Sequence, residues 1–206
     1  MKNKLCKFML AMGMALSLLA CTNSIPKEEK EVEQVAGAWT FNESAQANLP
    51  EDEQMMFEEV VKDYKPVALL ATQVVSGENY CFLAEKDSTY ALVKIYKNLE
   101  GKSELLNVQE LKVGEMETGL VGGWNVAENT YACPSRVDMD ILYKAQKEAK
   151  VGNFELIACL ETQPVAGTNY CYLCKETTEN KLVILTVYEN LDGQAEIKNI
   201  VDLSIA

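Results

Sequence analysis

The sequence predicts an α+β fold made of two tandem domains, each an antiparallel sheet of four to five strands wrapped around one helix. Three observations support this prediction. One sequence pattern occurs twice at a spacing of about 90 residues, the size of a small domain and too long for a solenoid repeat. Each copy has one stretch with helical spacing of apolar residues, followed by four strand-like stretches. The connections between these stretches are short, which favours antiparallel pairing.

The duplication is most evident in two phrases. Gln73-Val74-Val75-Ser76-Gly77-Glu78-Asn79-Tyr80-Cys81 is repeated as Gln163-Pro164-Val165-Ala166-Gly167-Thr168-Asn169-Tyr170-Cys171. Both read Gln-x-Val-x-Gly-x-Asn-Tyr-Cys. Further along, Tyr96-Lys97-Asn98-Leu99-Glu100-Gly101 is matched by Tyr188-Glu189-Asn190-Leu191-Asp192-Gly193. This agreement over two separate phrases indicates a tandem duplication.

The elements of each copy follow from local signals. A short strand is predicted around Trp39 and another around Trp124. The first helix is predicted to begin at a capping box of Asn48 and Glu51, and the second is capped from Ser135. Four strands then follow each helix, separated by Gly, Asn and Asp turns. The predicted strands are 67–74, 79–85, 90–97 and 105–112, and then 154–162, 169–175, 181–189 and 195–203.

The chain divides into four predicted regions: a leader at 1–20, an acidic tether at 21–33, and domains at 34–113 and 114–206. The leader has a basic head and an apolar stretch too short to span a membrane. It ends in Leu18-Leu19-Ala20-Cys21, which resembles a bacterial lipobox. The resemblance implies lipidation of Cys21 and attachment to the outer membrane, on either its periplasmic or its outer surface. An ordinary signal sequence with an incidental cysteine is the alternative.

Composition argues against several classes of function. The chain has 19 basic and 31 acidic residues and a net charge of −12, which is unsuited to binding nucleic acid. It contains no histidine, which excludes Ser-His and Cys-His nucleophile pairs and most zinc sites. The sequence has no Gly-rich phosphate loop and no metal-ligand spacing. We therefore expect no enzymatic activity, no catalytic residues, no cofactor and no metal.

The Gln-x-Val-x-Gly phrases resemble the first inhibitory hairpin of the cystatins, which inhibit papain-like cysteine proteases. The resemblance implies a cystatin-like fold for each domain and a protease as the partner. It also implies reversible occlusion of the protease cleft by three segments: an N-terminal trunk, the Gln-x-Val-x-Gly hairpin and a second turn. A non-inhibitory binding or scaffold role is the alternative, since a fold does not fix a function.

The resemblance assigns protease-binding residues in all three segments. The trunks are represented by Gly37 and by Leu120-Val121-Gly122-Gly123, and the second turns by Leu99 and Leu191. The hairpins are Gln73-Val74-Val75-Ser76-Gly77 and Gln163-Pro164-Val165-Ala166-Gly167. The second copy has the fuller trunk match and a proline that restricts its hairpin, so we expect it to be the stronger inhibitor.

Cysteine placement leaves two alternatives open. Cys159 and Cys171 lie on either side of the second hairpin, and a register centred on Val165 places them opposite each other, where a disulfide is possible. An exported protein meets oxidising conditions that permit such bridges. Two buried free thiols are the other alternative, because cysteine is often a core residue.

Overall fold

A computed structural model of the chain describes residues 36–42, 49–87, 89–111, 123–126 and 134–205. These residues belong to one compact unit, Gln34–Ala206. Within them there are two helices and ten strands, arranged as two antiparallel sheets of five strands each. Each copy of the repeat supplies one sheet and one helix.

The first copy forms sheet A. Its elements are β1 (Trp39–Phe41), α1 (Glu51–Val60), β2 (Lys65–Val75), β3 (Gly77–Lys86), β4 (Thr89–Lys97) and β5 (Ser103–Leu111). The strands lie in the sheet in their order along the chain, and each pairs antiparallel with the next. This order is expected, because the connections after β2 are too short for a crossover.

The second copy forms sheet B with the same order. Its elements are β6 (Asn125–Val126), α2 (Arg136–Ala149), β7 (Phe154–Val165), β8 (Gly167–Glu176), β9 (Lys181–Glu189) and β10 (Ala195–Leu203). The predicted strands of both copies agree with the observed ones to within a few residues. Local hydrophobic and turn patterns were therefore sufficient to locate the strands.

The two helices begin differently. At α2 the predicted cap at Ser135 is confirmed, and it has the form of a capping box: the Asp138 amide donates to Ser135 Oγ at 3.1 Å, and the Ser135 amide donates to Asp138 Oδ2 at 3.3 Å. At α1 the residue before the helix is Pro50, which makes no side-chain cap. Asn48, the predicted cap, lies outside the described residues.

No helix in the described part of the chain is long and apolar enough to cross a membrane.

Strand β3 shows how the sheets are buried. Phe82 and Ala84 belong to an apolar cluster under α1, whereas Cys81 and Leu83 belong to a cluster that includes residues of sheet B. All four side chains are fully buried. Because successive side chains of a strand point to opposite faces, both faces of sheet A are covered at this strand. Strand β9 repeats the arrangement, with alternate residues under α2 and in the shared cluster.

The cluster between the sheets, which we call the shared core, joins the two copies. Sheet A and its flanks contribute Phe41, Ala68, Leu70, Ala71, Cys81, Leu83, Tyr90, Leu92 and Leu111. The second copy contributes Ala158, Leu160, Cys171, Leu173, Leu182, Ile184 and Ile205. Burying one large aliphatic side chain contributes about 1.5–3 kcal/mol to stability. Because each sheet packs on its own helix with the opposite face, the order of layers is α1, sheet A, sheet B and α2.

The prediction of an α+β fold made of two tandem cystatin-like domains is wrong. The described residues are mostly β-structure, and no cystatin-like fold is identified. Each sheet does pack against one helix, but the opposite face of the sheet is not exposed to solvent. The second face is apolar as well, and the sheet of the other copy covers it.

A charged residue interrupts this pattern in sheet B. Glu161 of β7 pairs with Cys171, a residue of the shared core. The corresponding pair in sheet A is Ala71 and Cys81, and Ala71 is fully buried. Burial raises the pKa of Glu161, because the surroundings solvate a carboxylate poorly. Ionised Glu161 therefore opposes the packing of this part of the core.

Glu161→Gln is expected to raise the thermal unfolding temperature by a few degrees at pH 7.5 and by less at pH 4. The folded-state pKa of Glu161 is raised, so its charge destabilises the fold above that pKa. Below the unfolded-state value, about 4.3, both states bind the proton and the penalty disappears. Thermal unfolding monitored by circular dichroism at both pH values tests this. Glu155→Gln, an exposed site on the same strand, is the control. A gain that does not depend on pH would contradict the explanation.

Candidate functional site

Two chain segments meet at one end of sheet A. Ser76 forms the tip of the turn between β2 and β3, flanked by the paired residues Val75 and Gly77. The segment before β1 lies beside this turn, because the Gly37 amide donates to the Val74 carbonyl at 2.9 Å. The first hairpin and the start of the fold are therefore adjacent.

The turn between β4 and β5 lies at the same end. Lys97, the last residue of β4, pairs with Glu78 near the start of β3 and with Ser103 at the start of β5. The register thus brings the predicted trunk, first hairpin and second turn of the first copy together. We call this end edge 1, formed by Gly37, Val75–Gly77 and Leu99–Gly101.

Sheet B has an equivalent end. Ala166 forms the tip between β7 and β8, and Glu189 pairs with Thr168 of β8 and Ala195 of β10. We call this end edge 2, formed by Val165–Gly167 and Leu191–Gly193. Of the predicted trunk residues of this copy, Gly123 precedes β6 and is exposed. Leu120, Val121 and Gly122 lie outside the described residues.

Polar side chains join the base of the first hairpin to the segment before β1. Asn79 Nδ2 donates to Gln73 Oε1 at 2.7 Å, and Gln73 Nε2 donates to the Gly37 carbonyl at 2.9 Å. Gln73 and Asn79 are direct cross-strand partners. The Gln of the motif therefore links two of the three segments, and the Asn orients it.

The second hairpin has the same pair in a more buried setting. Asn169 Nδ2 donates to Gln163 Oε1 at 2.8 Å, and both residues are only 2% exposed. A buried amide is costly unless its polar atoms are satisfied, so this bond stabilises the base of the hairpin. The Gln is among the predicted protease-binding residues, whereas the Asn is not.

The glycine of each motif is required by the backbone and by its neighbours. Gly77 has φ 115° and Gly167 has φ 122°, which L side chains rarely adopt. A β-carbon on Gly77 would also collide with the Lys97 carbonyl and lie 2.8 Å from Cε2 of Tyr96. The positive φ and the close neighbours therefore both require glycine at this position.

The second turn of edge 1 is held by one asparagine. Asn98 Oδ1 accepts the amide hydrogens of Glu100 at 3.0 Å and Lys102 at 2.9 Å, and the Asn98 carbonyl accepts that of Gly101 at 3.0 Å. Such bonds from an Asx side chain stabilise a tight turn. Leu99 occupies the outer position and is 83% exposed.

Edge 2 repeats this turn. Asn190 Oδ1 accepts the amide hydrogens of Asp192 at 2.9 Å and Gln194 at 3.0 Å. Leu191 is 84% exposed. The apolar side chain at the tip is thus equally accessible in both copies.

The hairpin tips add further accessible surface. Val75 is 40% exposed, and Ser76, Pro164 and Ala166 are exposed as well. Glu100 and Asp192 are also exposed, so each second turn presents one carboxylate beside its leucine. Val74 and Val165 are half-buried. Each edge therefore combines apolar side chains with a single negative charge.

Below the tips, tyrosine hydroxyls bind carboxylates. Tyr80 donates to Glu78 Oε2 at 2.7 Å, and burial, helped by that hydrogen bond, raises the pKa of Tyr80. Tyr170 donates to Glu189 Oε2 at 3.4 Å, and burial likewise raises its pKa. Both hydroxyls therefore stay protonated at neutral pH and remain donors.

The four cysteine thiols of the described residues lie away from the edges and are poorly reactive. Burial raises the pKa of Cys81 and of Cys159 to about 12, and it also raises the pKa of Cys171 and of Cys174 well above the ordinary value of a thiol. A thiol that stays protonated is a weak nucleophile.

Among the described residues, no group of three or more His, Cys, Asp or Glu side chains is placed to hold a metal ion.

The disulfide considered between Cys159 and Cys171 is not formed, and both residues are free thiols. The hairpin is centred on Ala166, and a bulge at Leu160 makes Cys159 the partner of Tyr172. Cys159 consequently packs against the cluster under α2, whereas Cys171 lies in the shared core. The two thiols are on opposite faces of sheet B, where a bridge cannot form without rearrangement.

Several residues that shape the edges were not assigned from the sequence. They are Asn79, Tyr96 and Asn98 in the first copy and Asn169, Tyr188 and Asn190 in the second. The signal was present, because all six lie within the two repeated phrases. What the phrases do not indicate is which of their members form hydrogen bonds.

Neither protein-family models nor curated proteins supply a relative of this chain. No protein-family model matches the chain. A search of curated proteins also finds no match. The residues and geometry of the two edges are therefore the basis for a proposed function.

Gly77→Ala is expected to lower the free energy of unfolding by about 3 kcal/mol, and Gly101→Ala by about 1 kcal/mol. Both glycines have positive φ, so both variants suffer backbone strain. Only Gly77 has neighbours in the way of a β-carbon, because nothing lies within 4 Å at Gly101. Urea unfolding of the two variants measures the difference. Equal losses would show that the close approach of the Tyr96 ring and the Lys97 carbonyl is unimportant.

Proposed function

We propose that this chain inhibits papain-like cysteine proteases by reversibly occluding the active-site cleft. The observation that supports this most is the presentation of Leu99 and Leu191 at two equivalent turns, 83% and 84% exposed. Each turn lies beside a Gln-x-Val-x-Gly hairpin whose sequence resembles the inhibitory hairpin of the cystatins.

The shape of each edge suits a narrow cleft. The three segments of edge 1 follow the strand order of a single sheet. With strands about 4.8 Å apart, such an edge is roughly 20 Å long. Its exposed tips, and not the covered sheet behind them, are the parts that would enter a groove.

The edges are ordered before any partner binds. Gln73, Asn79 and Asn98 fix the trunk, hairpin and second turn of edge 1 by hydrogen bonds within the chain. Ordering a flexible loop on binding costs free energy, so a preordered loop binds more tightly with the same contacts. The apolar residues at the tips, Val75 and Leu99, then supply contact surface that loses its water on binding.

Occlusion requires no chemistry from the inhibitor. The edges present glycine, valine, serine, proline, alanine and leucine, with one exposed carboxylate at each second turn. The four free thiols in the part of the chain that the structure describes are held away from the edges and stay protonated. In this proposal the chain acts by denying substrate access to the catalytic cysteine of the protease.

We further propose that the protein is exported and anchored to the bacterial outer membrane by lipid on Cys21. The basic head, apolar stretch and Leu18-Leu19-Ala20-Cys21 of the leader support this proposal. The acidic tether that follows would separate the compact unit from the bilayer. Both a periplasmic and a surface location agree with these features.

The full chain is expected to inhibit papain, and Leu99→Asp and Leu191→Asp to weaken inhibition. A charge at the tip must be desolvated in the cleft, so the dominant edge should lose about 2 kcal/mol or more of binding, roughly 30-fold in affinity. Hydrolysis of a small peptide substrate by papain, titrated with each variant, gives the affinities. We expect Leu191→Asp to have the larger effect, because the second copy has the fuller trunk and a proline in its hairpin.

Leu106→Asp is the matched control. Leu106 is 50% exposed on β5, outside edge 1, so the same substitution there should leave inhibition unchanged. No inhibition by the wild-type chain up to tens of micromolar would exclude the proposal and favour a non-inhibitory binding role. Equal losses in all three variants would show that the contacts lie outside the edges.

Cys21→Ala is expected to move the protein from the membrane fraction to the soluble fraction of expressing cells. Several acyl chains anchor a protein firmly, and this variant would have none. Cys6→Ala, which alters the other cysteine of the leader, should leave the protein in the membrane fraction. Fractionation followed by immunoblotting reads out both variants. Retention of the Cys21→Ala protein on membranes would contradict lipidation at this site.

A further inference from the structure

Each hairpin tip is contacted by a tyrosine from the neighbouring strand. Tyr96 of β4 donates its hydroxyl hydrogen to the carbonyl of Ser76, the tip residue of the first hairpin. Tyr188 of β9 donates to the carbonyl of Ala166, the tip residue of the second, at 2.5 Å. The same interaction thus occurs independently in both copies.

The tyrosine ring fills the space that glycine leaves open. A β-carbon on Gly77 would lie 2.8 Å from Cε2 and 2.9 Å from Oη of Tyr96. On Gly167 it would lie 2.8 Å from Cε2 and 3.0 Å from Oη of Tyr188. The glycine and the tyrosine are therefore mutually dependent, since any larger residue would displace the ring and break its bond to the tip.

These tyrosines are not core residues. Tyr90 and Tyr172 are fully buried members of apolar clusters. Tyr96 and Tyr188 are half-buried and belong to none of the three clusters that the described residues form. Packing alone therefore does not account for a hydroxyl directed at a main-chain carbonyl in each copy.

The register completes the arrangement. Tyr96 pairs with Asn79, and Tyr188 pairs with Asn169. The asparagines hold the glutamines at the base of each hairpin, while the tyrosines reach past them to the tip. Each hairpin is thus held by hydrogen bonds both at its base and at its tip. At the tip, the main-chain carbonyl accepts a hydrogen bond from the tyrosine hydroxyl instead of from water.

We propose that Tyr96 and Tyr188 are positioning residues that hold the two hairpin tips in a single conformation before a partner binds. Without the hydroxyl, the tip peptide samples other orientations, and binding must then select one of them. The effect on protease affinity rests on the proposed inhibitory function. The effect of the tyrosines on the conformation of the hairpin tips does not depend on that function.

The test uses the full chain with Tyr96→Phe, Tyr188→Phe and both together. Tyr64→Phe is the matched control, because its hydroxyl donates to Glu110 Oε1 at 3.1 Å, outside both edges. Amide hydrogen exchange is followed by mass spectrometry in peptides covering 74–78 and 164–168. Thermal unfolding and inhibition of papain are measured on the same samples.

We expect exchange at the affected tip to accelerate about tenfold, with unfolding temperatures no lower than that of the control variant. Papain affinity should fall about tenfold for the edge that dominates binding, which corresponds to about 1.4 kcal/mol. Tyr64→Phe should change neither exchange at the tips nor affinity.

Unchanged exchange at both tips would overturn the proposal, as would acceleration spread over the whole chain, which indicates a general structural role. Accelerated exchange at the tips with unchanged papain affinity would overturn the role in binding. If the wild-type chain does not inhibit papain, the proposed function fails, and exchange at the tips alone decides whether the tyrosines position them.

Discussion

The contact between the two sheets is the constraint on which the rest of the structure depends. Sheet A and sheet B each have a helix on one face, and their other faces meet in the shared core. A central strand such as β3 is therefore apolar at consecutive positions, from Cys81 to Ala84. Neither sheet can leave its second face in water without exposing large aliphatic side chains. The two halves of the sequence repeat thus depend on each other for stability.

Burial on both faces also determines where the molecule can bind a partner. The central strands are covered, so the accessible parts of the described residues include the outer faces of the helices, the outer strands of each sheet, and the turns. Turns at the end of a rigid sheet are well placed for recognition, because the scaffold fixes them while their tips stay in solvent. The bonds from Gln73, Asn98 and Tyr96 extend that rigidity to the tips.

Local structure could be predicted from the sequence because its causes are local. The Ser135 and Asp138 cap and the turns at Gly77 and Gly167 depend on a few neighbouring residues. The packing of one sheet on the other depends on residues far apart in sequence, and no motif encodes it. A signal was nevertheless present, since runs without alternation, such as Leu182–Leu185, are typical of strands buried on both faces. Of the two cysteine alternatives, the disulfide is excluded by the register: the hairpin is centred on Ala166 and a bulge at Leu160 places Cys159 opposite Tyr172, neither of which periodicity reveals.

The repeated phrases can be separated into residues that build the edges and residues that the edges present. Gly77, Asn79 and Tyr96 each have a role within the chain: the first allows the turn, the second orients Gln73, and the third binds the tip. Asn98 and Gly101 form the second turn by main-chain and side-chain bonds that do not involve the side chain between them. Leu99 is the exception, since most of its surface is in water and the turn closes without it. This exposure of a leucine at the same position in both copies is the reason why we propose Leu99 and Leu191 as contact residues for a partner.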